Sequence, residues 1–329
     1  MDKFRNFIEY GIVMNMTKIS MCQQDDLTNP ILKDGFTEEF PCHIYFIISR
    51  PRVAIIPERC EFNELIKLVF RVQKEFSFEE KIIFLKPIED TKNYRIESEF
   101  PHSKFYMFNG DKQILYAKSA LYYAMHTRKY SEEFNSELLY IGQSYGKKGE
   151  KDSTSRLKNH STLQKIYSEA IQNNPDKEIW LNLLSFDREL HTSFDGTNKL
   201  NKRHDNEVQN VSKIMSKFMK NELSEKEIIN FTEASLIKYF KPKYNIMFKD
   251  IFPSIDHKSY QECIELDVNS VSFQLDTDCI NTKLFTEHIK PSFLNMASFT
   301  LKSKEYRKNL FDIIDSSLVP TTFGNIKIE

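Results

Sequence analysis

Leu138-Leu139-Tyr140-Ile141-Gly142-Gln143-Ser144 is the stretch on which the fold turns. An apolar run of this length, closed by a glycine and two polar residues, reads as a strand ending in a turn. Upstream, across a polar connection from His126 to Glu137, lies Ala120-Leu121-Tyr122-Tyr123-Ala124-Met125, read as its antiparallel partner strand. Downstream, Leu163, Ile166, Tyr167, Ala170 and Ile171 recur at helical spacing, and Ser161-Thr162-Leu163-Gln164 fits a capping box that would start that helix. Ile179-Trp180-Leu181-Asn182-Leu183-Leu184 reads as a third strand. Helices over 211–220 and 225–240 follow, the second stopped by Pro242. A small three-stranded sheet with helices is therefore expected over residues 113–250.

The flanks extend this to a mixed α+β class with three modules, 1–112, 113–250 and 251–329. The first forty residues read as helical or poorly ordered. His43-Ile44-Tyr45-Phe46-Ile47-Ile48 and Arg52-Val53-Ala54-Ile55-Ile56 are short β-rich runs, and Phe62 to Phe76 carries Leu65, Ile66, Leu68, Val69, Val72 and Phe76 at spacing read as a helix. Asn109-Gly110 between Phe105–Phe108 and Gln113–Tyr116 is a hairpin signal. Asp187 to Asn210 reads as a polar loop. In the last module, Ile264–Val268 and Val271–Leu275 alternate like a hairpin, with a helix expected over 306–314.

Composition sets the class. The 329 residues are 40% hydrophobic and 28% charged, an ordinary globular balance, and no apolar run approaches the roughly 20 residues of a bilayer span. The amino terminus lacks the apolar region of a signal peptide, so a cytoplasmic location is expected. Five cysteines, Cys22, Cys42, Cys60, Cys263 and Cys279, form no CxxC pair, so reduced thiols are expected and a structural zinc is not. The formal net charge is −1. The span from Leu115 to Asp250 carries an excess of about +4 and the flanks about −5, so any surface for a polyanion must be local.

Several residues have side chains suited to phosphate chemistry. Arg156 and His160, at i and i+4, share one face if the segment is helical. An arginine fork holds two phosphate oxygens and stays charged at any working pH, while histidine exchanges protons near neutrality. Lys147, Lys148, Lys151 and Lys158 form a basic cluster around them. Glu233 is the one carboxylate on the otherwise apolar helical row Ile229, Glu233, Ile237, Phe240, where burial is costly unless the charge is paired or bound to a cation.

Tyr140-Ile141-Gly142 with Arg156 and His160, followed by Glu233 and by Lys241-Pro242-Lys243-Tyr244-Asn245, resembles the second half of a GIY-YIG nuclease core. The resemblance covers about residues 118–248 and leaves the flanks unassigned. It implies an endonuclease that hydrolyses phosphodiester bonds, with Mg²⁺ (or Mn²⁺) on Glu233, Arg156 clamping the phosphate, and Asn245 closing the motif. Ala120-Leu121-Tyr122 stands for the family's Gly-Ile-Tyr, with alanine for glycine and Tyr123 as a rival tyrosine. Tyr122, Tyr140 or His160 would then activate or orient water. DNA is the implied substrate, RNA the alternative, and an anti-phage or restriction role, alone, as a homodimer or with a partner protein, fits the acidic flanks. A core that has lost cleavage and only binds nucleic acid or a partner is the competing reading.

Overall fold

The computed structural model describes residues 8–29, 32, 34–37, 39–87, 90–127, 132–143, 161–194, 204–220, 222–250, 261–301, 309–310 and 324–328. It is a mixed α+β fold built on one eight-stranded sheet. The strands of that sheet are β1 (Ile8–Cys22), β2 (Ile44–Pro51), β10 (Asn135–Gln143), β11 (Lys177–Phe194), β12 (Ser270–Asp276), β13 (Lys283–Phe285), β14 (Leu294–Thr300) and β15 (Gly324–Ile328). Their order is β13-β10-β2-β11-β1-β12-β14-β15. The sheet thus draws strands from all three expected modules, and the boundaries near 112 and 250 do not divide it.

The amino-terminal segment corrects the first expectation. Residues 8–22 form neither a helix nor a coil but a central strand, paired antiparallel to β11 over almost its whole length and parallel to β12. Ile12 and Val13 are both buried because a central strand has two covered faces. Gly11 is needed for space: a Cβ there would lie 2.6 Å from Leu310 Cδ2 and 3.0 Å from Ser270 Oγ.

Between β2 and β10 the chain inserts two smaller antiparallel sheets. One holds β3 (Val53–Ile55), β4 (Glu61–Phe62), β5 (Ile66–Gln73) and β6 (Phe78–Leu85); the other holds β7 (Tyr94–Glu97), β8 (Lys104–Asn109) and β9 (Lys112–Lys118). The segment expected as a helix over 62–76 is therefore strand β5. Ile66, Leu68, Phe70 and Val72 are all buried, a period of two that the apolar Leu65 and Val69 disguise. The β8–β9 hairpin forms as expected, with Gly110 at φ 59° in its turn.

Residues 119–126 reverse the opposite way. Ser119–His126 is helix α1, and its buried apolar residues Ala120, Tyr123 and Ala124 fall at i, i+3 and i+4. Alanine, leucine and methionine favour a helix here, and Tyr123 packs on Phe70 and Phe134. Helix α2 (Ser161–Asn173) begins at Ser161; α3 (His204–Met219) and α4 (Glu225–Phe240) follow. Ser224 accepts a hydrogen bond from Glu227 N at 3.4 Å, and Lys241, at φ 49°, closes the carboxyl end of α4 before Pro242.

Strand β11 runs to Phe194 and helix α3 begins at His204, so both ends of the loop expected from Asp187 to Asn210 are regular structure, and 195–203 lies outside the described residues. The expected hairpin at 264–275 is instead a short helix, α5 (Gln261–Glu265), leading into β12, which pairs with β1 and β14. The helix expected over 306–314 lies almost wholly outside the described residues. No helix among the described residues is long and apolar enough to cross a membrane.

Two apolar clusters cover the main sheet. Tyr45, Ile47, Leu139, Leu181 and Leu183 pack with Leu163 and Ile166 of α2. Ile44, Phe46, Ile48, Leu138, Ile141 and Trp180 join the cluster that contains Ile229, Ile237 and Phe240 of α4. The faces of β2 and β10 alternate between these two layers.

Candidate active site

The strand beside β10 is β2, not the 120–125 segment. Their antiparallel register places Tyr45 directly opposite Gly142 and Phe46 opposite Ile141, with an irregularity between Leu138 and Tyr140. On its other side β2 pairs with β11, with Tyr45 opposite Leu183. Beyond the irregularity, Tyr140 and Gly142 share one face, and Tyr45 meets them there. The Tyr45 and Tyr140 rings stand 6.2 Å apart at 34°.

Gly142 is required by this pair. A Cβ at 142 would lie 2.5 Å from Tyr45 Cζ and 2.8 Å from Tyr140 Cε1. The two tyrosines close over the missing side chain. Tyr45 is fully buried and Tyr140 half-buried, so Tyr140 is the phenol nearer to solvent.

Asn245 locks the strand that carries Tyr140. Its Oδ1 accepts from Ile141 N at 2.9 Å and its Nδ2 donates to Ile141 O at 2.8 Å. Tyr244 N adds a bond to Leu139 O at 3.0 Å. The segment after α4 thus extends the sheet edge past β13, which pairs only with Asn135–Glu137. With its amide spent on one backbone unit, Asn245 fixes the course of β10 at Ile141.

Tyr244 is a further aromatic on this face that the sequence did not single out for chemistry. Its hydroxyl donates to Glu169 of α2, and the Lys165 and Lys243 ammonium groups lie 5.9 and 5.5 Å from its ring centroid. Burial and the Glu169 carboxylate push its phenol up to about 12, so it stays neutral and serves as a donor.

Tyr122 stands elsewhere. It sits on α1, stacked on His126 with centroids 4.2 Å apart and edge-on to Phe105. Burial raises its pKa, the opposite of what a phenolate base needs. Tyr123 is a buried core residue pushed up to about 12 by burial first and the Glu133 charge second. Neither belongs to the sheet that holds Tyr140.

Glu233 is half-buried on α4, among neighbours that are nearly all buried, and it is engaged within the fold. One turn earlier on the helix, Asn230 accepts a hydrogen bond from Gln143 Nε2 at 2.8 Å and so ties the helix to the end of β10. The α4 apolar residues belong to the layer opposite Tyr45 and Tyr140. Helix α4 therefore packs across the sheet from Tyr45 and Tyr140, with the Gln143–Asn230 bond at the end of β10. A lone carboxylate suits Mg²⁺, which keeps most of its water, and among the described residues no group of three or more His, Cys, Asp or Glu offers a fuller cage. Arg156, His160, Lys147, Lys148, Lys151 and Lys158 lie outside the described residues.

A cavity of about 530 Å³ opens where β1, β2 and β11 meet the start of α4, lined by His43, Ser185, Asp187, Glu225 and Thr232 among others. His43 Nε2 and Glu225 Oε1 are 3.3 Å apart at its rim. Comparison with family models, with curated proteins and with solved structures found no match.

Proposed function

We propose that the chain is a metal-dependent phosphodiesterase of the GIY-YIG kind, acting on DNA, with His43-Ile44-Tyr45 in the place of the family's Gly-Ile-Tyr. The observation that carries this is the Tyr45–Tyr140 pair closing over Gly142 on adjacent antiparallel strands. A histidine at 43 departs from the family's glycine, and the insertion between the two strands is long, which is why the motif is hard to see.

In this reading Tyr140, the more exposed phenol, faces the attacking water or the phosphate. Tyr45 holds the Tyr140 ring in place from beneath. Asn245 fixes the backbone of Ile141 and thereby the direction of Tyr140. Arg156 would clamp the phosphate and His160 relay a proton. Glu233 would hold Mg²⁺ (or Mn²⁺), which when bound supplies charge stabilisation to the reacting phosphate.

The full burial of Tyr45 favours one second reading, a core that recognises nucleic acid or a partner without cutting it. Incubating wild type and Glu233→Ala with supercoiled plasmid, linear DNA and single-stranded RNA, in Mg²⁺ or EDTA, separates the two. Cleavage that disappears with EDTA and with the variant supports the nuclease. Tight binding with no cleavage under any condition supports the second reading. An anti-phage or restriction role belongs to the same proposal and is read from phage plating on cells with and without the gene.

A further inference from the structure

Among the described residues, strand β6 presents an open edge and an outer face with three large apolar side chains. It runs eight residues in unbroken register against β5, from Gln73 opposite Phe78 to Ile66 opposite Leu85, with no proline or bulge. Among the described residues no strand pairs with its other edge. Phe78, Ile82 and Phe84 project from one face and are 51%, 49% and 60% exposed; Phe76, in the turn before them, is 92% exposed. An edge this long, with no bulge or proline and with Glu80 and Lys81 already held in ion pairs, is a template for another strand.

The chemistry of the face narrows the occupant. Three of the cations along it are already engaged, Arg59 with Glu80, Lys67 with Glu61 at 2.6 Å, and Arg71 stacked 4.4 Å from the Phe78 ring, while Glu79 and Glu80 add negative charge. A polyanion needs unpaired cations, so nucleic acid is a poor fit. The open backbone ladder asks for a β-strand, and β6 is complementary to itself.

We propose that β6 is a self-association surface, on which a second copy of this chain pairs its own β6 antiparallel with Lys81 opposite Lys81. In that register Phe78 stands across from Phe84 of the second copy, twice by symmetry, and Ile82 across from the stem of Glu80. Cross-strand aromatic pairs of this kind are favourable. The two lysines do not repel strongly, because each lies on the inner face between Glu79 at 2.9 Å and Glu133 at 2.7 Å. The four exposed side chains supply on the order of 400 Å² per copy, about half of a standard interface, so the dimer is weak and concentration-dependent. Such a dimer would carry two copies of the tyrosine site, a consequence that rests on the nuclease reading; the pairing itself does not.

The test uses the full chain in a Cys279→Ser background, since Cys279 is an exposed thiol. Sedimentation across a concentration series should show a monomer–dimer equilibrium that Ile82→Lys weakens at least about tenfold, with its thermal midpoint preserved. A short bis-maleimide should link the Phe78→Cys/Phe84→Cys double variant into covalent dimers and leave both single variants monomeric. A chain that stays monomeric throughout, a dimer indifferent to Ile82→Lys, or equal linking by the single variants overturns the proposal. Binding of β6 only to a strand of some other protein overturns it as well.

Discussion

Tyr45 and Gly142 stand directly opposite each other on adjacent strands, and the phenol occupies the space a side chain at 142 would need. The glycine of the Tyr140-Ile141-Gly142 stretch is therefore explained by packing. Gly142→Ala should destabilise the chain by about 1–3 kcal/mol through overpacking. It should also displace the Tyr140 ring. Urea unfolding of wild type and variant measures the first effect, and an unchanged midpoint would show that the tyrosines yield without cost.

Asn245 makes two hydrogen bonds to one backbone unit, so its removal orphans a buried donor and a buried acceptor. Asn245→Ala should cost about 1–3 kcal/mol. If cleavage is detected, activity should fall through misplacement of Tyr140 even at temperatures where the variant is fully folded. Retained stability in Asn245→Ala would mean that water replaces the amide at Ile141.

Lys118 and Asp25 give a pH dependence with a definite sign. Partial burial alone would raise the Asp25 carboxyl, but hydrogen bonds from Lys104 and Lys118 outweigh it and hold it down at about 2. A depressed carboxyl contributes stability that is full above its unfolded value near 4 and is lost as the pH falls toward 2. Lys118 is nearly buried, bonded to Gln23, Asp25 and Asp26 at 2.9, 2.8 and 2.6 Å. Lys118→Met should cost about 1–3 kcal/mol at neutral pH, discounted for the exposure of Asp25. The difference between variant and wild type should shrink between pH 4 and pH 2. An acid-unfolding profile in which the two curves stay parallel would remove Asp25 from the account.

Much of this architecture was legible in the residues. The apolar run ending at Gly142, the helix start at Ser161 and the Lys241-Pro242 stop of α4 are local signals, and the structure follows them. Pairing was not legible. Ala120–Met125 is the nearest apolar run to Tyr140, and proximity in sequence favours it, yet alanine, leucine and methionine make it helical. The true neighbour, Ile44–Pro51, reads as a strand from its β-branched and aromatic run, but two inserted sheets separate it from β10, and no local signal bridges that distance. Strand β5 was obscured for another reason: Leu65 and Val69 add apolar residues between the alternating buried ones, so periods of two and of 3.6 both fit. Asn245 could be seen as the close of a motif, but only the folded chain shows its two hydrogen bonds to the Ile141 backbone.

The most direct measurement is the initial rate of plasmid cleavage in Mg²⁺ by Tyr140→Phe and by Tyr122→Phe, each against wild type and each checked for an unchanged thermal midpoint. The account predicts that Tyr140→Phe loses roughly 100-fold or more, as expected when a group that handles a proton is removed, while Tyr122→Phe cuts at the wild-type rate. A cleaving Tyr140→Phe enzyme, or a Tyr122→Phe enzyme that has lost cleavage, would contradict the placement of the active site between β2 and β10.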